Sequence, residues 1–327
     1  MEFNVDAHLW CLGTFGERYV PNGYFDPMPL EEQLSIMSKT PGFDGLMVFY
    51  PPTPGLPEDP EKLKKKLADY NLKLSSVVVE NWSDRKWKHG AFCTTEKAVR
   101  EENIALFKRA IDYCKACGGE SVLLWPAHDG FDYPFQVNYK DGWKRLVESI
   151  RTIGEYDKSV RIAVEYKAKD PRQKQYVNTV GKCLALLNDI NLPNVLGVVD
   201  VGHSLQAQEN VAEAITLLDS HGKLGQIHLN ENYKDSDPDM IFGTINFFEL
   251  LEFFYYLNKT DYKGWCSIDI IAGRDDRKKS FELAVKMVRK YKAMADRLTE
   301  HKDEIDKNLA GYHFADNMNL ISDLIFK

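Results

Sequence analysis

The chain has 327 residues, with 42 Lys and Arg against 49 Asp and Glu, a formal charge of −7, and 44% apolar residues. A net acidic chain binds nucleic acid and anionic membrane poorly, because both reward clustered Lys and Arg, and no run approaches the roughly 18 apolar residues of a membrane helix. The N-terminal Met-Glu-Phe-Asn-Val-Asp has no apolar signal segment, so a cytoplasmic globular protein without nucleic-acid or membrane partners is expected.

In chain order, short runs rich in Val, Ile, Leu and aromatics fall at 3–10, 44–50, 72–80, 120–126, 161–167, 194–201, 223–230 and 264–271. Helical periodicity fills the intervals at 30–38, 60–70, 96–117, 142–155, 176–188, 211–220, 247–257 and 281–297. Eight strands alternating with eight helices is the element count of an α/β fold of the closed (β/α)8 TIM-barrel type. An open doubly wound sheet would bring a Gly-rich phosphate turn, and no such pattern follows any strand. Residues 1–297 are therefore assigned to a barrel catalytic domain and 298–327 to a C-terminal helical tail. The apolar end of that tail, from Leu320 onward, must pack on the bottom of the barrel or on a neighbouring subunit. The connections 81–95 and 128–139 are too aromatic for solvated linkers and are expected to line a site. Cys114 and Cys117 close a helix where a redox pair would open one, and are expected to be packing residues.

Barrel function gathers where strands end at their C-terminal face. The fifth strand ends in Glu165 and Lys167, and the sixth in Asp200, with His203 just beyond. The seventh ends in His228, followed by Asp237 and Asp239, and the eighth ends in Asp269. Any one strand-end Asp is ordinarily a cap or a loop pin, and a lone His228 a hydrogen-bonded core residue. Asp237 and Asp239, near Asp235, read equally well as a solvated loop. Four adjacent strands repeating the cost of a buried charge need a common cause, and divalent cations supply one. Oxygen ligands with one or two imidazoles suit Mn, Mg or Co, with Zn also compatible, and the lack of thiolates argues against a structural zinc site.

Several stretches, in the same order along the chain, resemble xylose isomerase and its relatives among the sugar isomerase barrels. They are Trp87-Lys-His-Gly-Ala-Phe-Cys-Thr94, Leu124-Trp125-Pro-Ala-His-Asp-Gly130, Glu165-Tyr-Lys167-Ala-Lys-Asp-Pro-Arg172, Asp200-Val-Gly-His203 and Asp237-Pro-Asp239-Met-Ile-Phe-Gly243. The resemblance implies a two-metal site. Glu165, Asp200, His228 and Asp269 would hold one ion, and Asp200 would share a second with His203, Asp237 and Asp239. Lys167, Glu165, Asp269 and His8 are the catalytic residues so implied, and Trp10, Trp87, Trp125 and His203 the substrate-binding ones. The implied reaction is a 1,2-hydride shift between aldose and ketose forms of an unphosphorylated sugar, in a homo-oligomer (dimer or tetramer). Xylose isomerase has Glu where Asp200 stands and Asp where His228 stands, so the ligand set is closer to the L-rhamnose isomerase branch. The second strand ends in Phe49-Tyr50-Pro51-Pro52 and lacks that family's ring-opening histidine. Tyr50, His8, His128 or a metal-bound water would have to take its place, and His8, beside Trp10, is the best protein candidate.

Three other readings compete. A ketose 3-epimerase on the same barrel uses two glutamates across one metal, and the eighth strand here offers the shorter Asp269. An AP-endonuclease-like nuclease would need more histidine ligands and a basic face, against eight His and a charge of −7. A non-catalytic sugar or metal binder would have no use for Lys167 beside a full ligand set.

Overall fold

The apolar runs form eight parallel strands: β1 (Asn4–His8), β2 (Gly45–Tyr50), β3 (Lys73–Val79), β4 (Ser121–Leu124), β5 (Arg161–Glu165), β6 (Val195–Asp200), β7 (Leu224–Leu229) and β8 (Trp265–Ile268). The computed structural model describes residues 3–326. The strands pair in chain order, and β8 pairs back onto β1 to close a barrel. Both faces of a parallel barrel strand are covered, which is why these segments read as continuous apolar runs rather than alternating ones. Inside the barrel, Met47, Val78, Leu123, Ala163 and Val198 make a small apolar core along β2 to β6. The opposite side is polar: Gln226 on β7, Ser267 on β8 and Asp6 on β1 are all buried.

Six of the helices begin where a side chain can accept a first-turn N–H. Asp59, Asn138, Thr179, Asp200, Asn210 and Asp276 all do so, each cap stabilising its helix by about 1 kcal/mol. Caps also account for the main differences from expectation. The helix expected at 142–155 spans Tyr139–Gly154, because Asn138 caps it. The one expected at 176–188 is Val180–Ile190, because Lys174–Gln175 pair antiparallel with Gly130–Phe131 and Thr179 takes the cap. A short helix not expected at all, Val201–Gln206, springs directly from β6. Cys114 and Cys117 lie in the last turn of Lys97–Cys117, buried and unpaired.

The long helix Arg277–Glu300 runs through position 298 and is followed by Lys302–Ala310 and Phe314–Ile325. The tail packs on its own chain: Leu320, Ile321, Leu324 and Ile325 reach the main core. Phe326 stacks on Phe247 at 5.7 Å, at the start of helix Phe247–Leu257. No helix among the described residues is long and apolar enough to cross a membrane.

Candidate metal centre

The ends of β5 to β8 and the loop after β1 enclose a cavity of about 410 Å³, within the range of about 300–1,000 Å³ typical of small-molecule sites. Its polar wall is Glu165, Lys167, His203, Asp237, Asp239 and Asp269, and its apolar wall is Trp10, Phe15, Trp125 and Ile271. The division follows the strands. Acidic and imidazole groups close β5 to β8, while Trp10 and Trp125 stand just beyond β1 and β4.

Two groups of ligand-type atoms lie in or beside this cavity, one of Glu165, Asp200, His228 and Asp269, the other of Asp200, His203 and Asp237. Within each group the atoms lie within 4.8 Å of one another. In the first, His228 Nδ1 stands 3.2 Å from Glu165 Oε1 and 3.8 Å from both Asp200 Oδ2 and Asp269 Oδ2. In the second, His203 Nε2 is 3.1 Å from Asp237 Oδ2. Its other nitrogen, Nδ1, donates to the Tyr166 carbonyl at 2.9 Å, so Nε2 is the nitrogen that would face an ion once its proton leaves. Asp239 lines the cavity beside the second group and outside it, with its Oδ1 held by Asn230 Nδ2 at 3.1 Å.

Local chain geometry explains the spacing from Asp200 to His203. Asp200 Oδ1 accepts the His203 N–H at 2.8 Å, so the residue that ends β6 also caps the helix carrying His203. A Cβ on the intervening Gly202 would fall 2.6 Å from Asn230 Oδ1 and 2.7 Å from Asp237 Oδ1, so only glycine admits this approach. Asn230 is the hub. Its Oδ1 accepts from Gly202 N at 2.7 Å, and its Nδ2 donates to Asp200 Oδ2 as well as to Asp239. The segment 237–243 is fixed from behind by buried Glu231, whose carboxylate accepts backbone N–H groups of Thr244, Ile245 and Asn246. In the same way Asp129 accepts the N–H groups of Ala91, Phe92 and Cys93, tying loop 128–139 to loop 81–95.

Crowding shows in the proton affinities. Burial pushes Asp200 up to about 6 and Asp269 up to about 7, neighbouring carboxylates adding to the effect against the pull of the histidines. Burial and the nearby Asp237 and Asp269 raise Asp239 well above the carboxylate range. Burial disfavours the imidazolium forms, yet the carboxylates outweigh it and raise His203 to about 10 and His228 to about 9. For Lys167, burial is likewise outweighed by Asp237, 2.8 Å away, and by Asp239, so its ammonium is held charged. Acids that keep protons beside bases that keep them mark a site with surplus negative charge and too little cation, which a divalent ion corrects. The donor set fits such an ion.

A pH dependence follows. Asp200 and Asp269 are raised above their ordinary 3.8 in the folded chain, so metal-free stability falls as pH rises from there towards 7. The raised histidines add stability below 6.5 that is lost as pH climbs through 9 and 10. Both trends favour the ion at higher pH, since it binds ionised carboxylates and neutral imidazoles. Paired melts with Mn²⁺ and with a chelator should show a Tm gain that grows from about pH 5 to about pH 8. A flat or shrinking gain contradicts the assignment.

The remaining expected residues separate. Trp10 and Trp125 line the cavity, and Lys167 Nζ lies 5.2 Å from the Trp125 ring centroid. Trp87 does not join them. It sits in the short turn Arg85–His89, 2% exposed within the main core, so its expected substrate contact is corrected to packing. Trp82 holds the place beside Trp125, at 5.2 Å between rings, and Phe49 stands next to it at 5.8 Å. His8 is buried outside the lining, stacked on Phe49 at 3.8 Å and on Trp10 at 4.5 Å. Its Nδ1 accepts the Trp10 N–H, so Nε2 carries the proton, and burial lowers its pKa to about 3. His8 is therefore a neutral donor and not a base. Trp82 belongs to the loop 81–95 expected to line the site, whereas Phe15, Phe49, Asn230 and Ile271 were not expected there. Of these, Phe49 and Asn230 end strands and could have been found by the rule applied to the acids.

A family described as the xylose isomerase-like TIM barrel matches residues 37–291. The xylose isomerase of Thermus thermophilus is 26% identical over 261 residues, 77% of this chain and 67% of that protein. That of Thermus caldophilus is 25% identical over 264 residues, 78% and 68% of the two. Among solved structures, an L-ribulose 3-epimerase superposes with a TM-score of 0.73 at 18% identity, covering 91% of this chain and 97% of that one. A D-psicose 3-epimerase gives a TM-score of 0.69 at 16% identity, over 89% and 99%. The structural likenesses establish the fold, and with a family match across most of the barrel the chain belongs to the xylose isomerase-like TIM barrel family.

Proposed function

We propose that the protein is a divalent-metal-dependent isomerase interconverting an aldose and a ketose of an unphosphorylated sugar by a 1,2-hydride shift. The observation that carries the reading is Asp200, which belongs to both ligand groups and so joins them into one two-ion centre. Glu165, Asp200, His228 and Asp269 would hold one ion, and Asp200, His203 and Asp237, with Asp239 alongside, the other. Mn²⁺, Mg²⁺ and Co²⁺ suit these donors, and Zn²⁺ is compatible with them. Bound ions supply Lewis-acid polarisation of sugar oxygens and neutralise the carboxylates. Lys167 presents a fixed positive charge where the carbonyl oxygen gains negative charge as hydride arrives at its carbon. Trp10 and Trp125 keep water from the migrating hydride. His8, stacked on Trp10 and Phe49 outside the lining, would hold the aromatic wall in place. Relatives named for sugars, xylose isomerases by sequence and 3-epimerases by fold, support a sugar as substrate. A cytoplasmic homo-oligomer completes the proposal, with exposed Phe248, Phe314 and Phe326 offering an apolar face to a second copy.

One feature favours a second reading. Glu165 and Asp269 share a ligand group, the placement an acid–base pair would need for 3-epimerisation by proton transfer. Incubating the protein with panels of aldoses and ketoses plus Mn²⁺, Co²⁺ or Mg²⁺, and identifying the products, tests the choice. The expected product differs from its substrate at C1 and C2; a ketose inverted at C3 would select the epimerase.

A further inference from the structure

Beneath the ligands lies a buried polar layer that the proposed chemistry leaves unused. The two histidines of the centre differ in one respect. His203 turns Nε2 to Asp237 and closes its other nitrogen on the Tyr166 carbonyl. His228 turns Nδ1 to the carboxylates, and its Nε2 is buried with no hydrogen-bond partner among the described residues. A histidine that ligates through Nδ1 carries its proton on Nε2, and metal-ligating histidines nearly always give that proton to a carboxylate, carbonyl or water. A buried N–H left without an acceptor is costly.

Strand register locates an acceptor. Ser267 pairs with His228 across β7 and β8, and Asp6 pairs with Ser267 across β8 and β1, two residues short of the Asp269 ligand. Residues in register on parallel strands point to the same face, so Asp6, Ser267 and His228 all turn into the barrel. Asp6 is fully buried, and both of its carboxylate oxygens lack a hydrogen bond among the described residues. The Ser75 and Ser267 hydroxyls face it without closing one of normal geometry, and His228 is the cationic group that acts on it. Ser267 Oγ already accepts from Gln226 Nε2 at 3.1 Å, which leaves the hydroxyl hydrogen for Asp6. An unpartnered carboxylate and an unpartnered imidazole nitrogen thus lie in one buried layer beneath the ligands, more than 4.0 Å apart in this structure.

We infer that Asp6 is a positioning residue of the metal centre: when His228 ligates through Nδ1, the Asp6 carboxylate closes on its Nε2–H, fixing the tautomer and ring orientation that present Nδ1 to the ion. This rests on the reading that His228 is a ligand. Gln226 Oε1, two residues before His228 and also unpartnered, is the rival acceptor.

The test uses the full chain and Mn²⁺ or Co²⁺ alone, with affinity read by chelator competition. Asp6→Asn should weaken binding by about 10- to 100-fold, the usual effect of removing such a partner, while the metal-free melt stays near wild type. In the Mg²⁺-loaded protein, the His228 Nε2–H proton resonance should move upfield in Asp6→Asn. Asp6→Ser serves if the amide is not accommodated, with the same weakening expected. Gln226→Met should leave affinity within about twofold of wild type, short of the loss expected for the residue that holds the His228 ring. Wild-type affinity in Asp6→Asn with an unmoved resonance, or a loss confined to Gln226→Met, overturns the assignment of Asp6. A wild-type protein that binds neither ion overturns the metal reading itself, so the two failures are distinguishable.

Discussion

Asp200→Asn should lose turnover by about three orders of magnitude or more, because several kcal/mol of transition-state charge stabilisation by both ions depend on this one side chain. Asp200 contributes to both ligand groups, so its variant should purify with neither ion, whereas Glu165→Gln should disturb mainly the first. The fold should survive. An asparagine Oδ1 still accepts the His203 N–H and keeps the helix cap. What it cannot do is accept from Asn230 Nδ2, since its own Nδ2 now faces that amide. Metal content by elemental analysis, turnover, and a metal-free melt close to the metal-free parent form the expected set. Full activity in a protein retaining both ions would contradict a shared ligand.

Lys167→Met should separate chemistry from metal binding. A preorganised charge aimed at a developing oxyanion is worth about 10²–10³ in kcat, and loss of that size is expected with KM for the sugar little changed. Both ions should remain. Lys167 is no ligand, and its removal frees Asp237 Oδ2 from an ammonium at 2.8 Å, which leaves the second group more negative. The measurement is steady-state kinetics alongside metal content. Ion loss in parallel with activity would mean that Lys167 orders the site instead of stabilising charge.

The candidate ligands were legible because an ionisable group ending an apolar strand is conspicuous: Glu165, Asp200, His228 and Asp269 each break a run that burial would otherwise keep apolar. The barrel was legible for the same reason, since eight such runs alternate with helical periods, while the helix starts at 139 and 180 followed caps that the periodicity does not show. The aromatic wall was less so. Trp82 and Trp87 lie five residues apart in one loop, and nothing in their sequence tells which packs in the core and which stands beside Trp125. Asn230 is neutral, so its grip on Asp200 and Asp239 gave no charge signal. The helix Val201–Gln206 is too short to show a period. Phe15 reaches the cavity from an irregular loop at a positive φ of 56°, where neither strand nor helix pattern applies. Asp6 looked like any polar residue near the start of a strand, because sequence does not say which face of a barrel strand points inward.

The most direct test of the central claim is the fate of hydrogen at C2. An aldose carrying deuterium at C2, turned over in ordinary water with Mn²⁺, should give a ketose with the label retained at C1. The reverse experiment in D₂O should place no solvent deuterium on carbon. Label washed out to water, or solvent deuterium appearing at C3 of a ketose, would mean that a carboxylate carries a proton and that the protein is not a hydride-shift isomerase.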